Sequence, residues 1–516
     1  MVSIEELQKL YPEAIAIAEI ELNIKPREFI IVVNRPIMDI KLYKELDIYT
    51  FIIPKKILEL DVKYSVVGEH IAESLLFPFR TLKGHDYLLD LAYKYRQRVI
   101  IEVAKDLATE FITRGLKSLL NYLLIPPEYF VLKKISERIY LYPIRVSMYK
   151  SLNNLEILRK LKSEYKSLLD QLAQRGYFIK EDGYYILSPE LIHKKYLSAL
   201  KYKLTTSIFT ALGFATRAIK DLLRFNISLL KDIYTVPEFT LPEWLKTPEN
   251  LLKLKHTELF FTTPSILKRS KLISRLGALS SSELRLVNID GCEHHVIVKR
   301  FAAFTSTKWI AASILGIPAT RIIASPGQRL ANEYVYTMLL KSKGFCVPKI
   351  YAVILDSYML VKEYMEGKSL IKIADSVPKD SKACNIIYKL GKLLAEIHKN
   401  NVAIGDSKFE NFILKNGNIC IVDLEQAREA SLRDKAWDIA EMLYFLAFEK
   451  QIRSPSIVIE CARLIASGYV NSEGDLRVLK EATKPRYFVP FIGFINPQLA
   501  RKVINVLKNV SKSSQY

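Results

Sequence analysis

The stretch IGDSKFENFILKNGNICIVDLEQA, from Ile404 to Ala427, constrains the fold of this chain more than any other. It follows a helical pattern ending in LAEIHKNN, and it holds Asp406 and Asn411 together in one loop. FILKNGNICIVD then reads as two short strands about an Asn416-Gly417 turn, because Asn and Gly tolerate the positive φ that a two-residue hairpin loop requires. The second strand delivers Asp423. A hairpin that returns Asp423 to the neighbourhood of Asn411 assembles two hard oxygen ligands suited to Mg²⁺, and Asp406 beside them can orient a hydroxyl. Phosphoryl transfer needs little more than this: positioned phosphates, a divalent metal, an oriented nucleophile and exclusion of water.

Other segments supply the remaining parts in chain order. HHVIVKRF is an apolar strand ending at Lys299, which can reach nucleotide phosphates, although many edge strands carry a lysine. Upstream, ISRLGALSSSELRLVNI reads as two strands around a turn that would cover those phosphates. It holds only Gly277, so close backbone approach is restricted, and Ser281 with its serine neighbours would supply donors instead. GQRLANEYVYTMLLKSKG is a helix ending at Gly344, with Glu333 either pairing with Lys299 or lying on the surface. YMLVKEYMEGKSL is a strand that breaks at Gly367, a hinge whose backbone at Glu363 and Met365 would hydrogen-bond an adenine ring. Lys362 stands where an apolar residue would be expected behind that ring; it either touches nucleotide or points outward.

Lys299, Glu333, KEYMEG, GDSKFEN, IVDLEQA and KAWDIAEMLYFL, taken in this order, resemble the protein-kinase-like fold over roughly the last 250 residues. Within it the chain looks closest to atypical archaeal serine/threonine protein kinases, to the RIO kinases and to the kinase of the KEOPS tRNA-modification complex. The resemblance implies Lys299 as the phosphate-contacting lysine, Glu333 as its helix partner, Asp406 as the catalytic aspartate and Lys408 beside the transferred phosphate. It implies Asn411 and Asp423 as metal ligands, with ATP and Mg²⁺ or Mn²⁺ as cofactors, and Asp438 as a buried aspartate holding the catalytic loop. Ile404 replaces the loop histidine, and Leu424-Glu425 replace the Phe-Gly after the metal aspartate, which removes a pivot without removing a group that meets phosphate or metal. Fourteen residues between Asp423 and Asp438 leave no room for a long peptide-docking segment. A folded protein, a protein–RNA complex or a small alcohol each fits as acceptor.

The expected fold class is α+β. Residues 1–155 read as a mixed α/β domain, with strands in REFIIVVNR and IYTFIIP and a helical pattern from His85. Residues 156–235 read as a helical region with a winged-helix-like hairpin about Glu181-Asp182-Gly183, 236–261 as a linker, and 262–516 as the bilobal kinase-like domain, its small lobe at about 262–364 and its large lobe at about 365–516. The first half carries no nucleotidyltransferase Gly-Ser ahead of Asp39 and Asp47, so a second active site is not expected. Half of the chain is apolar, which argues against intrinsic disorder. No apolar run reaches membrane-spanning length; Leu204–Ile219, the longest candidate, reads as a buried or amphipathic helix. The N-terminus has no signal-peptide pattern, so a cytoplasmic protein is expected. Five cysteines without metal-ligand spacing predict free thiols rather than a zinc site or disulfide framework. The net charge of +21 favours polyanions such as RNA or ribosomes, although a lysine-rich, thermophile-like composition produces the same number. Three functions follow: a kinase with a protein substrate, an ATP-binding or ATPase scaffold on RNA or ribosomes, and a small-molecule phosphotransferase of the aminoglycoside or choline type.

Overall fold

The computed structural model describes residues 4–23, 27–35, 39–43, 48–65, 69, 71–137, 148–193, 251–255, 267, 270–276, 282–289, 292–301, 323, 325–450, 454–491 and 495–513. They mix helix and sheet, an α+β composition. The chain divides into two compact units, Met1–Phe111 with Leu120–Lys255, and Ile112–Leu119 with His256–Tyr516.

The first unit is built on strands β1 (Ala16–Ile20), β2 (Arg27–Val33), β3 (Asp39–Tyr43), β4 (Ile48–Pro54) and β5 (Phe79–Lys83), ordered β3-β4-β2-β1-β5. β2 and β4 run parallel and every other pairing is antiparallel. Phe29 to Val33 are all buried, as a continuous apolar run in a strand covered on both faces requires. The His85–Thr113 helix buries Leu88, Leu91, Ala92, Tyr95 and Val99, the three-and-four spacing of a core-facing stripe. After β6 (Leu123–Leu124), the Leu155–Gln174 helix starts at Asn154, whose side chain accepts from Glu156 N at 2.8 Å. β7 (Phe178–Glu181) and β8 (Tyr184–Leu187) form the expected hairpin, with Asp182 and Gly183 both at positive φ. β9 (Lys253–Leu254), inside the expected linker, pairs with β6. The Leu204–Ile219 stretch and most of the Pro-marked linker lie outside the described residues.

The second unit opens with an antiparallel sheet of β10 (Lys271–Leu276), β11 (Ser282–Ile289), β12 (Cys292–Arg300), β13 (Ile350–Ile354) and β14 (Met359–Glu363), ordered β10-β11-β12-β14-β13. Val296, Val298 and Val361 form an apolar cluster on one face with Val287, Ala352 and Ile354. The Pro326–Ser342 helix between β12 and β13 is capped by Ser325 and begins on a proline, the position where a missing N–H costs nothing. Then follow β15 (Lys368–Ser369), the Ser381–Lys399 helix, β16 (Val402–Ala403), β17 (Phe412–Lys415), β18 (Asn418–Ile421), β19 (Arg428–Glu429), and helices Leu432–Lys450, Pro455–Asn471 and Pro497–Ser513. Their shared core includes Ile387, Leu394, Ile404, Phe412, Ile421, Met442, Leu443 and Tyr469. The Ser381–Lys399 and Pro455–Asn471 helices approach so closely that a Cβ on Gly391 would fall 2.1 Å from Ile465 O. Among the described residues no helix is long and apolar enough to cross a membrane.

The expectation of free thiols needs one correction. Cys346 and Cys420 form a disulfide, with Cα atoms 4.5 Å apart. A sequence separation of 74 gives no local spacing to announce it. Tertiary pairing brings the two together, through Ile421 N donating to Cys346 O at 2.9 Å. Cys461 is a buried free thiol, and burial pushes it up to about 12; Cys292 is exposed and Cys384 partly so.

Candidate functional site

The alternation of β12 and β14 decides which side chains meet. Lys299 lies opposite Leu360, and Ile297 opposite Lys362. Side chains alternate faces along a strand, so both lysines leave the face opposite the valine cluster. Val296 lies opposite Glu363, which puts Glu363 on the other face.

Both lysines converge on Glu333, from the Pro326–Ser342 helix, and on the segment that follows β18. Lys299 Nζ lies 2.7 Å from Asp423 Oδ2, 2.9 Å from Glu425 Oε2 and 3.5 Å from Glu333 Oε2. Lys362 Nζ donates to Glu333 Oε1 and, at 2.5 Å, to Val422 O. Leu424 N donates to Glu333 Oε2 at 2.9 Å. Arg329, one helical turn before Glu333, grips both oxygens of Glu425 at 2.8 and 2.9 Å. Three cations thus face three carboxylates. The Lys299, Glu333 and Lys362 side chains are at most 6% exposed, whereas Asp423 is 25% exposed, so Asp423 is the member that reaches toward solvent.

The electrostatics follow from this enclosure. Burial alone would depress the Lys299 ammonium, but Asp423, Glu333 and Glu425 outweigh it and raise its pKa. Burial acts to raise the Asp423 carboxyl, yet Lys299 and Lys362 hold it well below the usual carboxylate range. For Glu333 burial wins over the same two lysines, and the carboxyl is raised.

The loop carrying Asp406 is held from beneath by the Leu432–Lys450 helix. Asp438 accepts from Ile404 N at 2.7 Å and Gly405 N at 2.8 Å, and its Oδ2 lies 3.1 Å from His398 Nε2. The other ring nitrogen of His398 meets Tyr469 OH at 2.9 Å. Ser407 donates its N–H to Glu441 at 2.9 Å and its hydroxyl to Asp438 O at 2.6 Å. Glu441 is fully enclosed; burial, then the Asp406 charge, raises its carboxyl well above the ordinary value. Gly405 has φ +77°, and a Cβ there would lie 2.4 Å from Gln426 O, so the turn into Asp406 requires glycine. Asp406 pairs with Lys408 at 2.9 Å, and Asn411 Nδ2 donates to Asp406 O at 2.9 Å. Burial opposes the Lys408 ammonium, but Asp406 and Glu441 raise it.

The residues singled out in the sequence therefore fall into two bonded groups, Lys299–Glu333–Asp423 and Asp406–Lys408–Asn411. Val422 N donating to Asn411 O at 3.0 Å joins the strand leading to Asp423 to the end of the Asp406 loop. The Glu363 carboxylate joins neither group: it binds Lys415 Nζ at 2.8 Å and Lys349 N at 3.1 Å. Met365 is buried nearby, its sulfur 4.0 Å from Lys415 Nζ. Gly277 and Ser281 lie outside the described residues. Among the described residues no group of three or more His, Cys, Asp or Glu is arranged to hold a metal ion.

Sequence reasoning missed Arg329, Glu425, Glu441 and His398, and left Lys362 undecided. Arg329 carries a signal in hindsight, since it precedes Glu333 by four positions and so shares its helix face. Glu441 follows Asp438 by three and shares a face likewise. Glu425 had none beyond being a charge where a small residue was expected.

The family described as lipopolysaccharide core biosynthesis protein (WaaY) matches residues 330–459, which hold Glu333 and the whole Asp406–Asp423 region. A probable bifunctional tRNA threonylcarbamoyladenosine biosynthesis protein of Methanocaldococcus jannaschii is 32% identical over 127 residues, 24% of this chain and 21% of that protein. Its counterpart from Methanobrevibacter smithii is 31% identical over 101 residues, 19% of this chain and 17% of that protein. The KEOPS complex subunit Bud32 of Pyrococcus abyssi is 25% identical over 96 residues, 19% of this chain and 43% of that subunit. The chain thus spans about a fifth of the length of the two bifunctional relatives.

Proposed function

We propose that this chain is an ATP-dependent phosphotransferase with a hydroxyl acceptor, and specifically an atypical serine/threonine protein kinase with a bilobal kinase-like domain in its second unit. One observation carries the reading. Lys299 reaches Asp423 at 2.7 Å across 124 residues of sequence, with Glu333 bonded beside them. A buried lysine tied to the carboxylate that ends a hairpin is the resting form of a phosphate clamp next to a metal ligand. The partial likeness to tRNA threonylcarbamoyladenosine biosynthesis proteins and to the KEOPS subunit supports the same class.

In this reading Asp423 and the Asn411 amide oxygen are hard donors that fit a divalent cation such as Mg²⁺. Bound Mg²⁺-ATP supplies the transferable phosphoryl group and offsets the charge of its phosphates. Lys299 exchanges Asp423 for phosphate oxygens. Asp406 would accept a hydrogen bond from the acceptor hydroxyl and take its proton as the new bond to the γ-phosphorus forms and the bond from that phosphorus to the β–γ bridging oxygen breaks, with ADP leaving. Lys408, already against Asp406, lends positive charge to the group in transit. The hinge backbone at Glu363 and Met365 would hold the adenine. The acceptor is a protein hydroxyl, and the net positive charge of the chain suits contact with RNA or ribosomes.

The test is incubation of the full chain with γ-labelled ATP and Mg²⁺ or Mn²⁺, alone and with cell extract, wild type beside Asp406→Ala. Label on protein in wild type only supports the kinase. Label on small alcohols or amino sugars alone moves the acceptor to small molecules. Nucleotide bound without any transfer overturns the phosphotransferase.

A further inference from the structure

Glu333 is enclosed, and its carboxylate receives three donors: Lys362 on Oε1, and Lys299 and Leu424 N on Oε2. The lysines are not equivalent. Lys299 stands 3.5 Å from Glu333 and closer to Asp423 and Glu425. Lys362 makes the tight contact and also donates to Val422 O. One ammonium therefore ties together β14, the Pro326–Ser342 helix and the backbone immediately before Asp423. An apolar residue at position 362 can do none of this.

We propose that Lys362 is a positioning residue of the site: it supplies the standing charge partner of Glu333, so that Lys299 is free to move to nucleotide phosphates. The proposal rests on the phosphotransferase reading. In the resting site Lys299 leans on Asp423 and Glu425 rather than on Glu333, because Lys362 already occupies Glu333. Without Lys362, a buried carboxylate is left with Lys299 as its nearest cation. Lys299 is then drawn from the position where it meets phosphate, and Val422 loses the donor that fixes the approach to Asp423.

The experiment measures Mg²⁺-ATP affinity of the full chain by calorimetry, well below its melting temperature, for wild type, Lys362→Met and Lys362→Arg. Lys362→Gln, which keeps a donor for Val422 O, replaces the Met variant if that one does not fold. The expected result is an affinity loss of about tenfold or more in Met or Gln, on the scale where tenfold is ~1.4 kcal/mol. Arg, which keeps the charge, should recover part of it. A role confined to stability would lower the melting temperature and leave the affinity of folded protein unchanged. Wild-type affinity in the Met variant, or in the Gln variant where it replaces Met, overturns the proposal and leaves the phosphotransferase standing. A wild type that binds no nucleotide overturns both.

Discussion

Replacing Asp438 by Asn should loosen the Asp406 loop without removing any group that the proposed reaction brings to phosphate or metal. Asp438 is wholly buried, and both carboxylate oxygens are committed, Oδ1 to Gly405 N and Oδ2 to Ile404 N and His398 Nε2. Asn presents one oxygen and one amide NH₂, so whichever way it turns, a donor faces a backbone N–H. One charge-assisted hydrogen bond is lost, at roughly 1.5–3 kcal/mol, and a buried N–H is left without an acceptor, at roughly 1–3 kcal/mol. The sum is about 2.5–6 kcal/mol, a large fraction of a stability of order 5–15 kcal/mol. The loop can relieve part of it by moving Gly405 away from the helix, which carries Asp406 with it. In the proposed reaction a displacement near 1 Å of the group that orients the nucleophile is worth about 10²-fold in rate. Urea unfolding of the full chain, followed by a probe in the second unit, and labelled transfer from ATP would both be measured. If Asp438→Asn unfolds within about 0.5 kcal/mol of wild type, on the scale of an ordinary surface substitution, and transfers at the wild-type rate, the support assigned to Asp438 is wrong.

Three further outcomes are expected. Asp423→Ala, or removal of divalent metal by a chelator, should reduce transfer at least ~10²-fold, read as label incorporated per minute; full activity of the variant would exclude Asp423 as a ligand. Cys346→Ser should destabilise the oxidised protein by about 4 kcal/mol, from the loop-closure entropy of a separation of 74 residues, and thermal melting with and without reductant should show wild type falling toward the variant. The contribution of the Lys299–Asp423 pair to stability should be flat in pH between about 5 and 10. The folded Asp423 pKa is lowered, so its contribution is present above the unfolded value near ~3.9 and is lost only as pH falls through the folded value. The folded Lys299 pKa is raised, so its contribution is present below the unfolded value near ~10.4 and is lost as pH rises through the folded one. A melting temperature that drops in Asp423-intact but not in Asp423→Ala protein between pH 6 and 8 would contradict this.

Local chemistry in the sequence carried the hairpins and the helices around them. Asn416-Gly417 and Glu181-Asp182-Gly183 announce turns because few residues other than Asn, Asp and Gly accept positive φ, and both hairpins form, the second closing on Asp182-Gly183 with Glu181 already in the strand. β2, β4 and the His85–Thr113 helix are equally legible from apolar runs and three-and-four spacing. What the sequence hid is whatever depends on register between distant strands. Whether Lys362 faces inward is settled by its standing opposite Ile297, two residues from Lys299, and nothing within YMLVKEYMEG reveals that. The Cys346–Cys420 bond and the Arg329–Glu425 pair are long-range in the same sense. Within one element the information was present and unused: Glu441 sits one turn from Asp438, and His398 stands in the last turn of the helix that leads into the loop.

Glu425, where a glycine pivot was expected, alters what nucleotide entry demands of the site. Each of the three carboxylates has a cation that is closest to it: Glu333 has Lys362, Glu425 has Arg329 on both oxygens, and Asp423 has Lys299. Two of these pairs are almost fully enclosed, and only Asp423 is a quarter exposed. Breaking an enclosed pair leaves an uncompensated charge at roughly 3–5 kcal/mol, and the cost is smaller where water can reach the carboxylate that is released, as it can at Asp423 alone of the three. The least costly rearrangement is therefore separation of Lys299 from Asp423, which in the proposed reaction turns the lysine to phosphate and the carboxylate to metal. The enclosed pairs stay closed throughout. A turn pinned by Arg329 through Glu425 has no need to flip as a whole, so the glycine that would permit a flip has no function here. In the proposed reaction, activation would be a displacement of one ammonium rather than of a backbone segment.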